Sequence, residues 1–333
     1  MYISFVMIKT SKIVVIIGLL IFVACVPDAP HDNPLDPFYQ TSKGINVFSG
    51  QVLQKNEPHA PIGDCLVSLL PEQQFVRTDN NGKFSFAGTQ PGRHRIAVSK
   101  TGYDSLLKTI DFDTVRNRIV HFYLNGTPFL KKIKIYSEYI DQWWPDPVTS
   151  MIVEITIGDP DGVSDIRDIR LSVPSQDTSF AFSKTARPDS FFLRLDELVV
   201  TRQDLFALVG AQQYVILTDE SGTEVTSGPH YLIRIITSTP QTESPTGLQV
   251  VDAQPVFTWQ PYIAQFSYKY EILIFFLNAG IPILIHRSAE LEPQQLQYTY
   301  PDSLSPGTYF WTVAIRDGLG NFCRSKEATF IVP

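Results

Sequence analysis

From Ile45 onward the chain is written in short apolar runs of period two, each broken by Gly, Pro, Asn or Asp. Alternate side chains of an extended strand point to opposite faces, so such runs bury a core only by laying one sheet on another. No helical period of any length follows the N-terminus, and 24 prolines stand between the runs, where turns between strands place them. The fold class expected is all-β: three consecutive β-sandwich domains behind an N-terminal signal and anchor segment and a flexible tether. A length of 333 residues suits two or three domains of roughly 100–200 residues each. Only 18% of residues are charged, the net charge is −7, and neither sign forms a run. Without a basic stripe to neutralise phosphates, nucleic acid is not an expected partner.

Residues 1–24 have the layout of a secretory signal: Lys9 and Lys12, the continuous apolar run Ile13–Phe22, then small Ala24 before Cys25. An apolar core of about 7–15 residues suits a cleaved signal, whereas a membrane span needs about 20. The segment Phe22-Val23-Ala24-Cys25 resembles the lipobox of bacterial lipoproteins, with Phe22 where Leu is usual. That resemblance implies cleavage before Cys25 and a diacylglyceryl group on its thiol. The competing readings are an uncleaved anchor helix and an ordinary signal with a chance cysteine. One acyl chain anchors only marginally and two or more hold firmly, each buried CH₂ contributing about 0.8 kcal/mol. Val26, not Asp, follows the cysteine, so the resemblance further implies delivery to the outer membrane, on its periplasmic or extracellular face. Residues 25–44, rich in Pro and Asp, read as an extended tether.

Residues 45–126 hold strand candidates at 47–53, 65–70, 74–78, 83–87, 92–100, 106–112 and 119–124. Asp79-Asn80-Asn81-Gly82 is expected to form a tight hairpin, because its residues tolerate positive φ. The pieces Gly50-Gln51-Val52, Pro61 to Val67, Thr78 to Phe86, Pro91-Gly92 and Val98 to Tyr103 resemble, in order and spacing, the carboxypeptidase regulatory-like domain, a transthyretin-type sandwich. The departures are Asp64, where a small residue is commoner, and Arg93-His94-Arg95, where Tyr before an apolar residue is usual. The resemblance implies an accessory domain without catalytic residues. Residues 131–237, with strands expected at 131–140, 150–158, 166–174, 191–195, 214–219 and 231–236, resemble an immunoglobulin-like sandwich. They include a short helix over 201–209 with Thr201 as N-cap. Residues 245–333 resemble a fibronectin type III domain, with a core Trp in Pro255–Trp259, a strand over Tyr268–Leu277, Pro306–Val313 leading into a late strand, and a last strand over 327–332. Tyr309 stands where such sandwiches carry their tyrosine corner. A D-x-x-G turn recurs at Asp79–Gly82, Asp159–Gly162, Asp219–Gly222 and Asp317–Gly320, read as hairpin punctuation.

The histidines are scattered, with no HExxH, G-x-S-x-G elbow, phosphate loop or dinucleotide fingerprint. No catalytic residue and no cofactor is expected, and Cys65 and Cys323 read as two buried thiols. The segment Asp159–Asp168 holds one calcium candidate in Asp159, Asp161 and Asp165, since hard cations take several oxygens from one compact loop. Gly162 falls at position four rather than six and no Glu stands at position twelve, so this is no EF-hand, and the preferred reading is a solvated turn without metal. Tyr136, Tyr139, Trp143 and Trp144 form an aromatic cluster. Neighbouring Trp residues on extended chain face opposite ways, so both do not easily enter one core. The preferred reading is a seal at the junction of the first and second domains; the other is contact with a sugar or a partner. The functional expectation is a non-catalytic envelope lipoprotein in adhesion, scaffolding or partner recognition, attached to the membrane through Cys25 and binding an envelope protein or polysaccharide. The rivals are a polysaccharide-binding lipoprotein using the exposed aromatics, and a hydrolase whose carboxylates, for example Glu154 with Asp159 and Asp161, converge in one cleft.

Overall fold

The computed structural model describes residues 47–112 and 119–333. The signal segment, Cys25 and the tether lie outside the described residues. The chain divides into two compact units, the first within residues 47–123 and the second formed by Gln54–His59, Thr101–Asp104 and Leu124–Pro333.

The first unit carries β1 (Val47–Gln54), β2 (Leu66–Leu70), β3 (Gln74–Arg77), β4 (Lys83–Ala87), β5 (Gly92–Ser99), β6 (Leu106–Phe112) and β7 (Val120–Leu124). One sheet runs β4-β1-β7 and the other β3-β2-β5-β6. Their inward rows bury Phe48, Val52, Val67, Leu69, Phe84, Ile96 and Val98, as strict alternation requires. Gly50 is needed because a Cβ there would stand 2.4 Å from the Phe84 ring and 2.7 Å from the Val120 carbonyl. The Asp79–Gly82 turn closes tightly, with Gly82 N–H donating to the Asp79 carbonyl at 2.9 Å and Gly82 at φ 70°. It is not a hairpin of one ladder, however: it hands the chain from β3 to β4, which belong to different sheets. Both family departures fit. Asp64 takes φ 58°, a conformation Asp tolerates better than most residues, and its carboxylate accepts from Arg77 Nη1 at 2.9 Å. His94 fills an inward position of β5, its Nε2 2.7 Å from the Gln90 carbonyl and its Nδ1 2.7 Å from Glu72.

The second unit opens with β8 (Phe129–Ile140), β9 (Val148–Gly158), β10 (Ile166–Val173), β11 (Thr178–Ala181), β12 (Ser183–Lys184) and β13 (Ser190–Asp196). Helix α1 (Arg202–Ala207), β14 (Gln213–Asp219) and β15 (Glu224–His230) complete this sandwich. The Thr201 side chain caps α1 by accepting from Asp204 N–H, the bond an N-cap makes. The next sandwich has β16 (Thr242–Ser244), β17 (Gln249–Val250), β18 (Val256–Trp259), β19 (Tyr268–Asn278), β20 (Ile281–Arg287), β21 (Gln297–Thr299), β22 (Gly307–Asp317), β23 (Phe322–Arg324) and β24 (Ala328–Val332). Met151, Val153, Leu171, Leu193 and Leu217 centre one core; Phe257, Trp259, Tyr270, Trp311 and Phe330 centre the other. Trp311 sends its indole N–H to the Pro245 carbonyl at 2.7 Å. The Tyr309 hydroxyl donates to the Ser305 carbonyl at 2.7 Å, the bond of a tyrosine corner.

A second expectation needs correction. Residues 231–236 do not form a strand. The Asp219–Gly222 turn closes at once, so pairing with β14 resumes at Thr218↔Glu224 and the polar β15 takes the place. The apolar alternation of 231–236 is still used, because Leu232 enters the second sandwich's core and Ile236 the third's. The second and third sandwiches also share a sheet: β23 pairs in parallel with β8 at Phe322↔Glu138, Cys323↔Tyr139 and Arg324↔Ile140. The resulting order is β12-β13-β9-β8-β23-β22-β19-β20. Asn321 bolts this seam. Its side-chain oxygen accepts from Ser137 N–H at 2.9 Å and Ser137 Oγ at 3.2 Å, and its Nδ2 donates to Asp317 Oδ2 at 2.9 Å. Both Asn321 and Ser137 are buried. Asn321→Ala would strand these groups without water, a loss of about 1–3 kcal/mol. Urea unfolding should report it as a lower midpoint; an unchanged midpoint would show that the seam does not depend on this bolt.

Candidate functional site

The aromatic cluster is split by the structure. Tyr136 is buried, and its hydroxyl donates to Glu154 Oε1 at 2.9 Å. Burial first, then this carboxylate, push its phenol well above the ordinary range. Tyr139 packs half-buried against the third sandwich's core. Trp143 and Trp144 remain outside, 71% and 87% exposed. Trp143 is pinned at its edge: Nε1 donates to the Glu327 carbonyl at 2.9 Å, its backbone N–H to Glu327 Oε2 at 3.1 Å, and Lys326 Nζ sits 4.2 Å from the ring centroid. These contacts are therefore to the third sandwich, at Lys326 and Glu327. Trp143→Ala should lower stability by about 1 kcal/mol, while Trp144→Ala should stay within about 0.5 kcal/mol of wild type. Denaturant midpoints compare the two.

The acidic corner lies between β9 and β10, which are in different sheets. Gly162 N–H donates to the Asp159 carbonyl at 3.0 Å, Asp161 N–H to Asp159 Oδ1 at 2.7 Å, and Asp165 N–H to the Gly162 carbonyl at 3.0 Å. Gly126 N–H donates to Asp161 Oδ2 at 2.7 Å. One carboxylate oxygen from each of Asp159, Asp161 and Asp165 lies within 4.8 Å of the others. Asp159 Oδ2, Asp161 Oδ1 and Asp165 Oδ2 are buried without a hydrogen-bond partner. Burial, together with the charges of Asp161, Asp165 and Asp219, pushes the Asp159 carboxyl up to about 6 against the pull of the Asp161 N–H. Burial raises Asp161 as well. Neighbouring Asp219 is satisfied by contrast, accepting from Asn125 Nδ2 at 2.6 Å and Thr223 N–H at 2.7 Å. Glu154 does not join this group. It stands five residues before Asp159, mostly along β9, and about 3.3 Å of rise per residue puts it roughly 16 Å away. The hydrolase constellation named from the sequence is therefore not assembled.

A third feature was not foreseen. Strand β20 closes one end of the long sheet, yet Ile281, Ile283, Leu284 and Ile285 are all exposed. The ladder to β19 slips between Ile274 and Phe275, and such a bulge turns side chains out of their regular alternation. The Asn278-Ala279-Gly280 turn before the run Ile281–Ile285 was the available signal. The thiols sit as expected: Cys65 and Cys323 are free and buried, and burial pushes Cys323 up to about 12. Neither should alkylate in the native protein, and both should alkylate in denaturant, as residue-resolved mass spectrometry would show.

Residues 47–125 match the carboxypeptidase regulatory-like domain family. No curated protein matches the sequence. Among solved structures, the FN1–FN3 domains of chicken CNTN1 align at TM-score 0.33 and 9% identity, over 80% of this chain and 90% of that one. The fibronectin(III)-like modules of Clostridium thermocellum CbhA align at 0.30 and 12%, over 62% and 93%. The Bacillus anthracis TIE protein aligns at 0.27 and 10%, over 86% and 50%.

Proposed function

We propose that the chain is a non-catalytic lipoprotein of the bacterial outer membrane that recognises a protein partner in the envelope. Its attachment rests on the lipobox-like segment ending at Cys25, and a binding or scaffolding role agrees with the regulatory-like match. The observation that carries partner recognition is β20, a terminal strand whose apolar side chains face solvent. Soluble proteins normally blunt or cover such edges, and an uncovered one offers both backbone and apolar surface to an extended segment of another protein. The exposed Trp143 and Trp144 favour a second reading, polysaccharide binding by ring stacking.

A pull-down from detergent-solubilised envelopes separates the two. Wild type and Trp143→Ala/Trp144→Ala should capture the same protein, and Ile283→Lys/Ile285→Lys should reduce capture at least tenfold while its melting temperature stays near wild type. Capture of glycan by wild type, lost in the Trp variant, would replace this reading with the polysaccharide one. Cys25→Ser should move the chain from the membrane to the soluble fraction; if it stays with the membrane, the lipid anchor is wrong.

A further inference from the structure

We infer that the Asp159–Asp165 corner is a calcium site, with the carboxylates of Asp159, Asp161 and Asp165 as its protein ligands. Three carboxylate oxygens come within 4.8 Å of one another, and each of the three side chains keeps one buried oxygen with no partner. Asp165 is only 5% exposed. A buried carboxylate oxygen without a partner is costly, and three carboxylates gathered within 4.8 Å of one another add mutual repulsion. Nearby donors do not relieve this. Asp161 N–H and Gly126 N–H take Asp159 Oδ1 and Asp161 Oδ2, the oxygens away from the unpaired ones. Lys55, whose charge reaches Asp161, gives its ammonium to Ser221 Oγ at 2.9 Å.

The donor set selects the ion. All the ligands are hard oxygens, which suit calcium or magnesium rather than zinc or copper. Three oxygens within 4.8 Å of one another fit the first shell of either ion, and Ca²⁺ is favoured because Mg²⁺ dehydrates reluctantly and demands a strict octahedron. The departures from an EF-hand do not weigh against this. Gly at six and Glu at twelve belong to a loop that wraps the ion by itself. Here the carboxylates come from a sheet-to-sheet corner, and a separate segment orients one of them, Gly126 N–H donating to Asp161 Oδ2 at 2.7 Å.

The test is calorimetric titration of the chelator-stripped, full-length chain with CaCl₂ and, in parallel, MgCl₂, with melting curves in EDTA and in calcium. Wild type should take up about one Ca²⁺ with Kd in the range of about 10⁻⁶–10⁻³ M, bind Mg²⁺ at least tenfold more weakly, and melt higher in calcium than in EDTA. Asp161→Asn and Asp165→Asn should each weaken calcium binding at least tenfold. In EDTA they should melt at or above wild type, because one of three repelling charges is gone. No saturable uptake by wild type up to 10 mM calcium (about ten times the weakest such modules need) overturns the site, whether or not the variants fold. Equal responses to both cations, or binding undiminished in both variants, overturn it too.

Discussion

The parallel pairing of Phe322–Arg324 with Glu138–Ile140 is the constraint on which the second unit depends. Parallel ladders need long crossovers between their strands, and here the crossover is most of two sandwiches. It turns two modules into one sheet, so that β8 serves the second sandwich through β9 and the third through β23. Two isolated sandwiches joined by a linker would move independently; a shared ladder, a buried Asn321 bolt and Tyr139 packed on the third core remove that freedom. The Trp143–Trp144 loop follows directly from β8, which is why Trp143 comes to rest against Lys326 and Glu327.

The four D-x-x-G turns show how one local motif meets different fates. In each, the Gly N–H donates to the Asp carbonyl, and each Gly takes positive φ. Asp79 and Asp317 each use a carboxylate oxygen on two backbone N–H groups of their own turn. Asp219 is completed by Asn125. Asp159 is the exception, because its turn is a corner that brings in Asp161 and Asp165 rather than further donors. A motif that elsewhere settles its own charge here concentrates it.

Much of the architecture was legible because strand formation is a short-range property. Alternation and turn residues placed β6 and β4 at their observed bounds, Thr201 as a cap, and His94 within a strand, where its row made it an inward side chain. The missed elements fail for physical reasons. β15 is polar and is held by the turn before it, not by its own pattern, while 231–236 has the alternation of a strand but spends it bridging two cores. Of the candidate site, the three aspartates were visible as a motif. Their unpartnered buried oxygens were not, since burial depends on which segments arrive from elsewhere.

The sequence alone determined an all-β chain, the positions of most strands, a regulatory-like first sandwich and a lipobox-like segment at Cys25, all of them readable within a few tens of residues. Only the tertiary structure decided that the second and third sandwiches share a sheet, that Tyr136 is buried while Trp143 and Trp144 are not, and that Glu154 stands apart from the acidic corner. It also decided that β20 is an apolar strand with no further strand paired on its outer edge among the described residues. These facts hang on contacts between residues far apart in the chain, such as Ser137 and Asn321 or Gly126 and Asp161. Period and composition carry no information about which distant segments will meet, because that choice is made by how whole sheets pack.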